Sequence, residues 1–498
     1  MPNQSTGLLT NRGDAYSSRP AIVDASGTYS YAELINASGR IATALLSGGD
    51  DLQEERVAFR ITPGFPWVAT QWGIWRAGGI AVPLPLDAPP AELDYYLANS
   101  QASALIYDEA GDSVSAPVAS SRKIDGVLYS RLHNCEARQL PKVTAERRAM
   151  IVYTSGTTNR PKGVVTTHSN ITAQITSLVE AWEWASDDRI LLCLPLHHVH
   201  GIVNVVSCAL WSGAVCEMLP RFDADAVWER IAGGTLTLFM AVPTIYTRLI
   251  GAWEASSPER RMRLSDAAQR LRLMVSGSAA LPVSTLERWK EITGHTLLER
   301  YGMTEVGMAL SNPYRGNRVP GSVGEPLPRV EVQLISEVGE PVRPGTPGEI
   351  EVRGPNVFAE YWRNPDATRE AFRDGWFRTG DTAVMEDGVY RILGRSSVDI
   401  IKTGGHKVSA LEIEEVLRQH PAIAECAVVG APDPEWGERV CAAVVLRPQQ
   451  ALAFEALREW CKERMSKHKV PSRMTTVESL PRNAMGKVVK KAVAGQFR

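Results

Sequence analysis

At 498 residues the chain exceeds the roughly 250 to 300 residues at which a single hydrophobic core stops growing, so two or more domains are expected. A composition of 44% hydrophobic and 22% charged residues, with 40 Gly and 31 Pro, is that of an ordinary globular protein and excludes disordered and fibrous classes. Fifty-four basic against 56 acidic residues leave a formal charge of -2, which offers no global field to nucleic acid or an anionic membrane; any anion site must be local.

The first residues, MPNQSTGLLTNRGDAYSSRP, lack the basic start and apolar run of a secretory signal, and the uncharged stretch from Gly201 to Cys216 is too short and too polar to span a bilayer. The seven cysteines are odd in number, scattered and free of any C-x-x-C pair, as expected of reduced thiols. A cytoplasmic protein is the expectation.

Up to about residue 330, short apolar runs alternate with helical patterns: AVPLPL near Ala81, ALIYD at Ala104, MIVYT at Met150, ILLCLPL at Ile190 and TLTLFMAVP at Thr235. This predicts α/β layers around mainly parallel sheets. From Val330 shorter alternating strands broken by Gly and Pro predict a smaller β-rich subdomain. After Arg395, LEIEEVLRQ places Ile413, Val416 and Leu417 on one helical face, and AFEALREWCKERM does so with Phe454, Leu457, Cys461 and Met465. With the strand-like runs ECAVVGAPD and RVCAAVVLRP between them, these helices predict a small α+β domain, giving the division 1–396 and 397–498.

Four segments carry chemistry. TSGTTNRPKG, Thr154 to Gly163, follows the strand-like MIVY; its hydroxyls, small residues and backbone N–H groups can wrap phosphate oxygens, with Lys162 as a point charge. It is not a Walker A loop, because Lys162 is followed by Gly163 and a β-like VVTTH rather than by Ser or Thr and a helix. LLERYGMTE supplies Tyr301 as a flat face for a base, Thr304 as a hydroxyl and Glu305 as a hard oxygen ligand for Mg²⁺. In GWFRTGD and ILGR, Asp381 can accept two ribose hydroxyls and Arg395 can brace it. PRNAMGK ends on Lys487 in a loop.

These four pieces, in this order, resemble the acyl-adenylate-forming superfamily of acyl-CoA synthetases, peptide-synthetase adenylation domains and luciferases, from the YAELI segment at Tyr31 to Lys487. The resemblance implies a large N-terminal domain with a mobile C-terminal lid, and the substrates ATP and coenzyme A with Mg²⁺. It implies a nucleotide site made of Thr154, Ser155, Gly156, Thr157, Thr158, Lys162, Ser278, Ala279, Glu299, Arg300, Tyr301, Gly302, Thr304, Asp381, Arg395 and Lys487. Glu305 and Thr154 would hold the metal, Lys487, Thr304 and Glu305 would act in catalysis, and Gly404 and Gly405 would border the CoA tunnel.

LPLHHVHG, MAVPTIYTRL, LMVSGSAALP, GMALSNPYRG and SVDIIKTGG are similar to the malonyl-CoA synthetase branch. By that likeness Arg248 would take the unreacted carboxylate of a dicarboxylic acid, which could not be buried without a cation, and His198, Ser276 and Met303 would line the acid pocket. A synthetase for another short or aromatic acid, or a module loading a carrier protein, are the alternatives. His197, His198 and His200 read as pocket lining rather than metal ligands, since no Cys, Asp or Glu is placed in sequence to complete a site with them. Three departures from the family pattern stand out: Asn159 in place of a glycine, His406 in place of an aromatic residue, and Ser396 to Asp399 at the hinge, where the pivot is not evident.

Overall fold

A computed structural model describes residues 8–132, 135, 138–154, 160–482 and 488–497. Two large sheets form its centre. The first has nine strands, in the order Glu325–Pro326, Gly307–Ser311, Leu298–Met303, Leu273–Ser276, Leu238–Ala241, Arg189–Leu192, Val215–Met218, Pro20–Asp24 and Gly27–Ser30. Its middle is parallel and its two ends are antiparallel. Strands such as LFMA and LMVS are buried along their whole length, as parallel strands covered by helices on both faces must be.

The second sheet has seven strands and is parallel from Arg148–Thr154 through Ile80–Pro83, Arg56–Arg60 and Ala104–Tyr107 to Asp125–Leu128. On its other side Arg148–Thr154 pairs antiparallel with Lys162–Thr167, so the predicted phosphate loop joins two strands of one hairpin. No helix follows Lys162 directly, consistent with the exclusion of Walker A. Helix boundaries are written locally. Ser30 and Glu33 form a reciprocal capping box at the start of Tyr31–Leu46, and Thr167 with Asn170 does the same for His168–Ala181.

The β-rich segment is a five-stranded sheet in which Gly348–Arg353, Trp376–Glu386 and Val389–Arg395 pair antiparallel. A further five-stranded sheet lies wholly within residues 400–476. Its hairpin of Ile423–Asp433 and Gly437–Leu446 is buried on both faces: the period of two sends Cys426 and Val428 into one cluster with Ile413, Leu417, Leu457 and Cys461. Ala427, Val429 and Ala431 go to a second cluster with Val493 and Phe497. Val416 is only half-buried, and the helix Phe454–Lys462 ends before Met465, so both predicted apolar faces are narrower than expected. Six of the seven cysteines are buried thiols and Cys135 is half-buried. Among the described residues no helix is long and apolar enough to cross a membrane.

Candidate active site

Ser276, Ser278 and Glu299 to Met303 lie where the parallel strands of the nine-stranded sheet end, the usual location of ligand sites in such sheets. Strand Leu273–Ser276 leads into Gly277 and Ser278, and its neighbour Leu298–Met303 carries Glu299, Arg300, Tyr301, Gly302 and Met303 in register beside it, Ser276 opposite Glu299. Ser278 has a φ of +69°, and a Cβ on Gly277 would stand 2.5 Å from the Arg300 guanidinium. That glycine lets the guanidinium pass against the backbone. Ala279 lies exposed just beyond.

The Tyr301 hydroxyl donates to Asp381 Oδ2 at 2.6 Å, and Arg395 Nη1 donates to Asp381 Oδ1 at 3.1 Å and to the Thr379 carbonyl at 3.0 Å. Asp381 and Arg395 face each other across the Trp376–Glu386 and Val389–Arg395 hairpin, so this pairing is built into the register of the third sheet. Burial, then the Asp381 charge, pushes the Tyr301 phenol well above its usual range, so it acts as a donor at any working pH.

A second group lies at the turn between Leu298–Met303 and Gly307–Ser311, which contains Thr304 and Glu305. Glu305 is buried and accepts a hydrogen bond from the Tyr361 hydroxyl at 2.9 Å; burial pushes its carboxyl above the ordinary value. Lys162 Nζ stands 4.8 Å from the centre of the Tyr361 ring, and Thr154 is the register partner of Lys162. Tyr361 thus bridges the root of the phosphate loop to Glu305, a role that nothing in its sequence surroundings indicated. The predicted Ser155, Gly156, Thr157, Thr158 and Lys487, with Asn159, lie outside the described residues.

On the acid side, His200 opens a π-helical segment, His200–Ser207, of the kind often found at functional sites. Its Nδ1 lies 3.2 Å from Ser278 Oγ, and burial holds the imidazole well below its usual pKa, hence neutral. His197 and His198 lie ring against ring at 4.1 Å, with His197 pushed down to about 4 by burial. Ser276 Oγ, His200 Nε2 and both amide atoms of Asn204 are buried without a protein hydrogen-bond partner. Buried polar atoms in that state point to a polar ligand or water. Met303 packs half-buried at the end of its strand.

Arg248 is exposed on the helix Pro243–Glu254, its guanidinium 6.0 Å from the centre of the Phe222 ring. Arg300, in contrast, is only 4% exposed, reaches Ser278 Oγ at 3.4 Å and leaves Nε without an acceptor. Among the described residues no carboxylate pairs with Arg300, and burial alone lowers its pKa to about 9. A buried cation without an acid is costly unless a ligand supplies the anion. The resemblance had placed Arg300 with the nucleotide, so sequence reasoning missed this feature; only the fold reveals that no acid lies beside it.

Gly404 and Gly405 form the turn between Ile400–Thr403 and His406–Ser409, with φ of +54° and +78°. A Cβ on Gly404 would lie 2.8 Å from the Trp436 ring, so the turn is fitted against that indole. His406 stacks on His468 at 4.3 Å. Around the hinge, the Ser396 N–H bonds the Gly380 carbonyl, whereas Lys490 pairs with Asp399 at 2.7 Å. Asp399 Oδ2 also accepts the Arg395 N–H at 2.9 Å, so Asp399 is held from both sides of this segment.

Residues 9–362 match the family model for AMP-binding enzymes, and residues 412–487 match that for the AMP-binding enzyme C-terminal domain. The chain belongs to the AMP-binding enzyme family. Among members of this AMP-binding family, it is 46% identical over 528 residues to the mitochondrial malonate–CoA ligase of Homo sapiens, covering 98% of this chain and 91% of that protein. ATP-bound MatB from Rhodopseudomonas palustris superposes with a TM-score of 0.91 at 34% identity, over 99% of each chain. Against the apo form of that protein the TM-score is 0.82 at the same identity and coverage. The family and these relatives make the chain an acid–thiol ligase.

Proposed function

We propose that the chain is an ATP-dependent malonate–CoA ligase, acting on malonate and also on its 2-methyl derivative. The observation that carries the acid assignment is Arg300, a buried guanidinium without an acid among the described residues, beside the unpartnered Ser276 Oγ and His200 Nε2. A monocarboxylate would leave that charge unmet, whereas the distal carboxylate of malonate satisfies it. The identity of nearly half the residues with malonate–CoA ligase over almost the whole chain supports the same reading.

In the first step a malonate carboxylate oxygen attacks the α-phosphorus of ATP, the bond to the β-phosphate oxygen breaks, and pyrophosphate leaves. In the second, the CoA sulfur attacks the acyl carbon of malonyl adenylate, the thiol proton is lost, and AMP departs with the electrons of the broken anhydride bond. The first step brings two anions together, so positive groups must be ready before reaction. Thr154 to Lys162 hold the phosphates; Ser278, Ala279, Glu299, Tyr301 and Gly302 border the adenine; Asp381 and Arg395 hold the ribose; Thr304 and Lys487 meet the reacting phosphate.

Glu305 fits a Mg²⁺ site: burial raises its pKa, so a cation would restore its charged form, and Mg²⁺ takes one or two carboxylates plus substrate phosphates. Thr154 would stand on the phosphate side of that ion, which when bound would spread the charge of the triphosphate. Residues 1–396 act as the adenylation domain and 397–498 as a lid that turns between the steps, bringing Gly404 and Gly405 to the pantetheine. We place the protein in the cytoplasm, a location compatible with its free thiols, and cell fractionation with antibody detection checks this.

With malonate, ATP, Mg²⁺ and CoA the protein is expected to release AMP and pyrophosphate; a substrate panel in which malonate elicits no AMP would overturn the assignment. Arg300→Met should reduce kcat/KM for malonate about thirtyfold or more, given the 2–5 kcal/mol typical of a buried charge pair, while sparing butyrate. Arg248→Ala in the same panel separates the two arginines. Selective loss in Arg248→Ala with none in Arg300→Met would return the second carboxylate to the exposed helix.

A further inference from the structure

The helix Val283–Thr293 begins four residues after Ala279, at the rim of the nucleotide wall, and its N-cap residue is Pro282, which provides no side-chain cap. The first N–H groups of a helix require acceptors from outside it. Val283 N–H finds one on the other unit: it donates to Glu415 Oε1 at 3.1 Å, from the helix Ala410–Arg418. A carboxylate in that place also meets the positive end of the helix dipole.

Glu415 stands at one end of a chain of charge. Arg418 pairs with Glu415 at 3.2 Å and with Glu414 at 3.0 Å; Lys490 pairs with Glu414 and with Asp399, each at 2.7 Å. Asp399 Oδ2 accepts the Arg395 N–H at 2.9 Å, and Arg395 pairs with Asp381 at 3.1 Å, which holds the Tyr301 hydroxyl. The two ends of this network, Val283 and Arg395, belong to the large unit, and its middle belongs to the C-terminal unit. Any rotation of the C-terminal unit about Ser396 to Asp399 must part Glu415 from Val283. Glu415 is 29% exposed, so water can take over both groups when they separate and the contact is reversible.

We propose that Glu415 is a positioning residue for the first half-reaction: its bond to Val283 N–H holds the C-terminal unit in the orientation of this structure, which superposes better on ATP-bound than on apo MatB, and is released for thiol transfer. The proposal rests on the ligase reading above. Glu415 touches no reacting atom and acts only through the orientation of the unit that carries it.

The test uses the full chain with Glu415→Ala, Val283→Pro and the double variant. Proline suits the first helical position and removes the donor without breaking a bond within the helix, and Pro282, at φ -59° and ψ 133°, already has the conformation that a residue before proline requires. The first half-reaction is read as malonate-dependent exchange of labelled pyrophosphate into ATP, the second as CoA-dependent release of AMP from supplied malonyl adenylate. Each single variant is expected to slow exchange about tenfold, equivalent to about 1.4 kcal/mol, leave the second half-reaction within about twofold, and show no further loss in the double variant. Unchanged exchange, an equal fall in both half-reactions, or additive losses would overturn the proposal. An absence of malonate-dependent exchange in the parent protein would instead overturn the ligase reading.

Discussion

Arg300 and its strand neighbour Glu299 are both ionisable groups buried at the site, and burial acts on them in opposite directions. It lowers the Arg300 pKa to about 9 and raises that of Glu299 to about 8, against the opposing Gly321 N–H bond at 2.9 Å and with help from the Glu415 charge. For Arg300 the lowering is a desolvation cost that the carboxylate of a bound acid offsets, since a guanidinium keeps its proton across the working pH range. For Glu299 the consequence is stability. Its folded pKa exceeds the unfolded value near 4.5, so its contribution is fully present below that pH and is lost as pH rises to about 8. Glu299→Gln, whose amide oxygen can still accept the Gly321 N–H, should melt with the parent at pH 5 and above it at pH 9, as read by thermal denaturation.

The elements explain why these residues meet. The hairpin of Leu298–Met303 and Gly307–Ser311 carries both the Tyr301 group and Glu305, and it closes only because position 302 lacks a side chain: a Cβ there would fall 2.0 Å from the Gly307 carbonyl oxygen. Gly302→Ala must therefore displace backbone, and should cost about 1–3 kcal/mol and raise the KM for ATP. Gly251, on the exposed face of the helix Pro243–Glu254 with open space about its Cβ, is the control. Its replacement by Ala should be neutral or stabilising by up to about 1 kcal/mol, and denaturant melts of both variants give the comparison. Strands such as Leu238–Ala241 and Arg189–Leu192 were legible as apolar runs. The π-helical start at His200 was not, because its hydrogen-bond pattern depends on tertiary packing rather than on residue type.

At the scale of the molecule, the C-terminal unit has its own sheet and two apolar clusters, one on each face of the Ile423–Asp433 hairpin. A fragment of residues 397–498 is expected to fold alone and melt cooperatively, as followed by circular dichroism; a chain that melts without a transition would argue against a separate lid. The contacts that tie this unit to the rest are polar: Arg391 with Glu412, Lys407 with Glu337, Ser409 Oγ with the Leu393 carbonyl, and Glu415 with Val283. Such contacts can be exchanged with water at small net cost, which suits the proposed turning of this unit.

By itself the sequence determined the family and the α/β layering, because motif residues and apolar periodicity are local properties that survive in one dimension. Arg248 was legible in the same way, as a motif position. Only the tertiary structure decided that Arg300 is the cation buried without an acid among the described residues, that Tyr361 links Lys162 to Glu305, and that Glu415 reaches Val283. Each of those facts is a matter of which distant residues are neighbours and which are missing, and burial turns that into energy: the absence of a counter-ion matters only once water has been excluded.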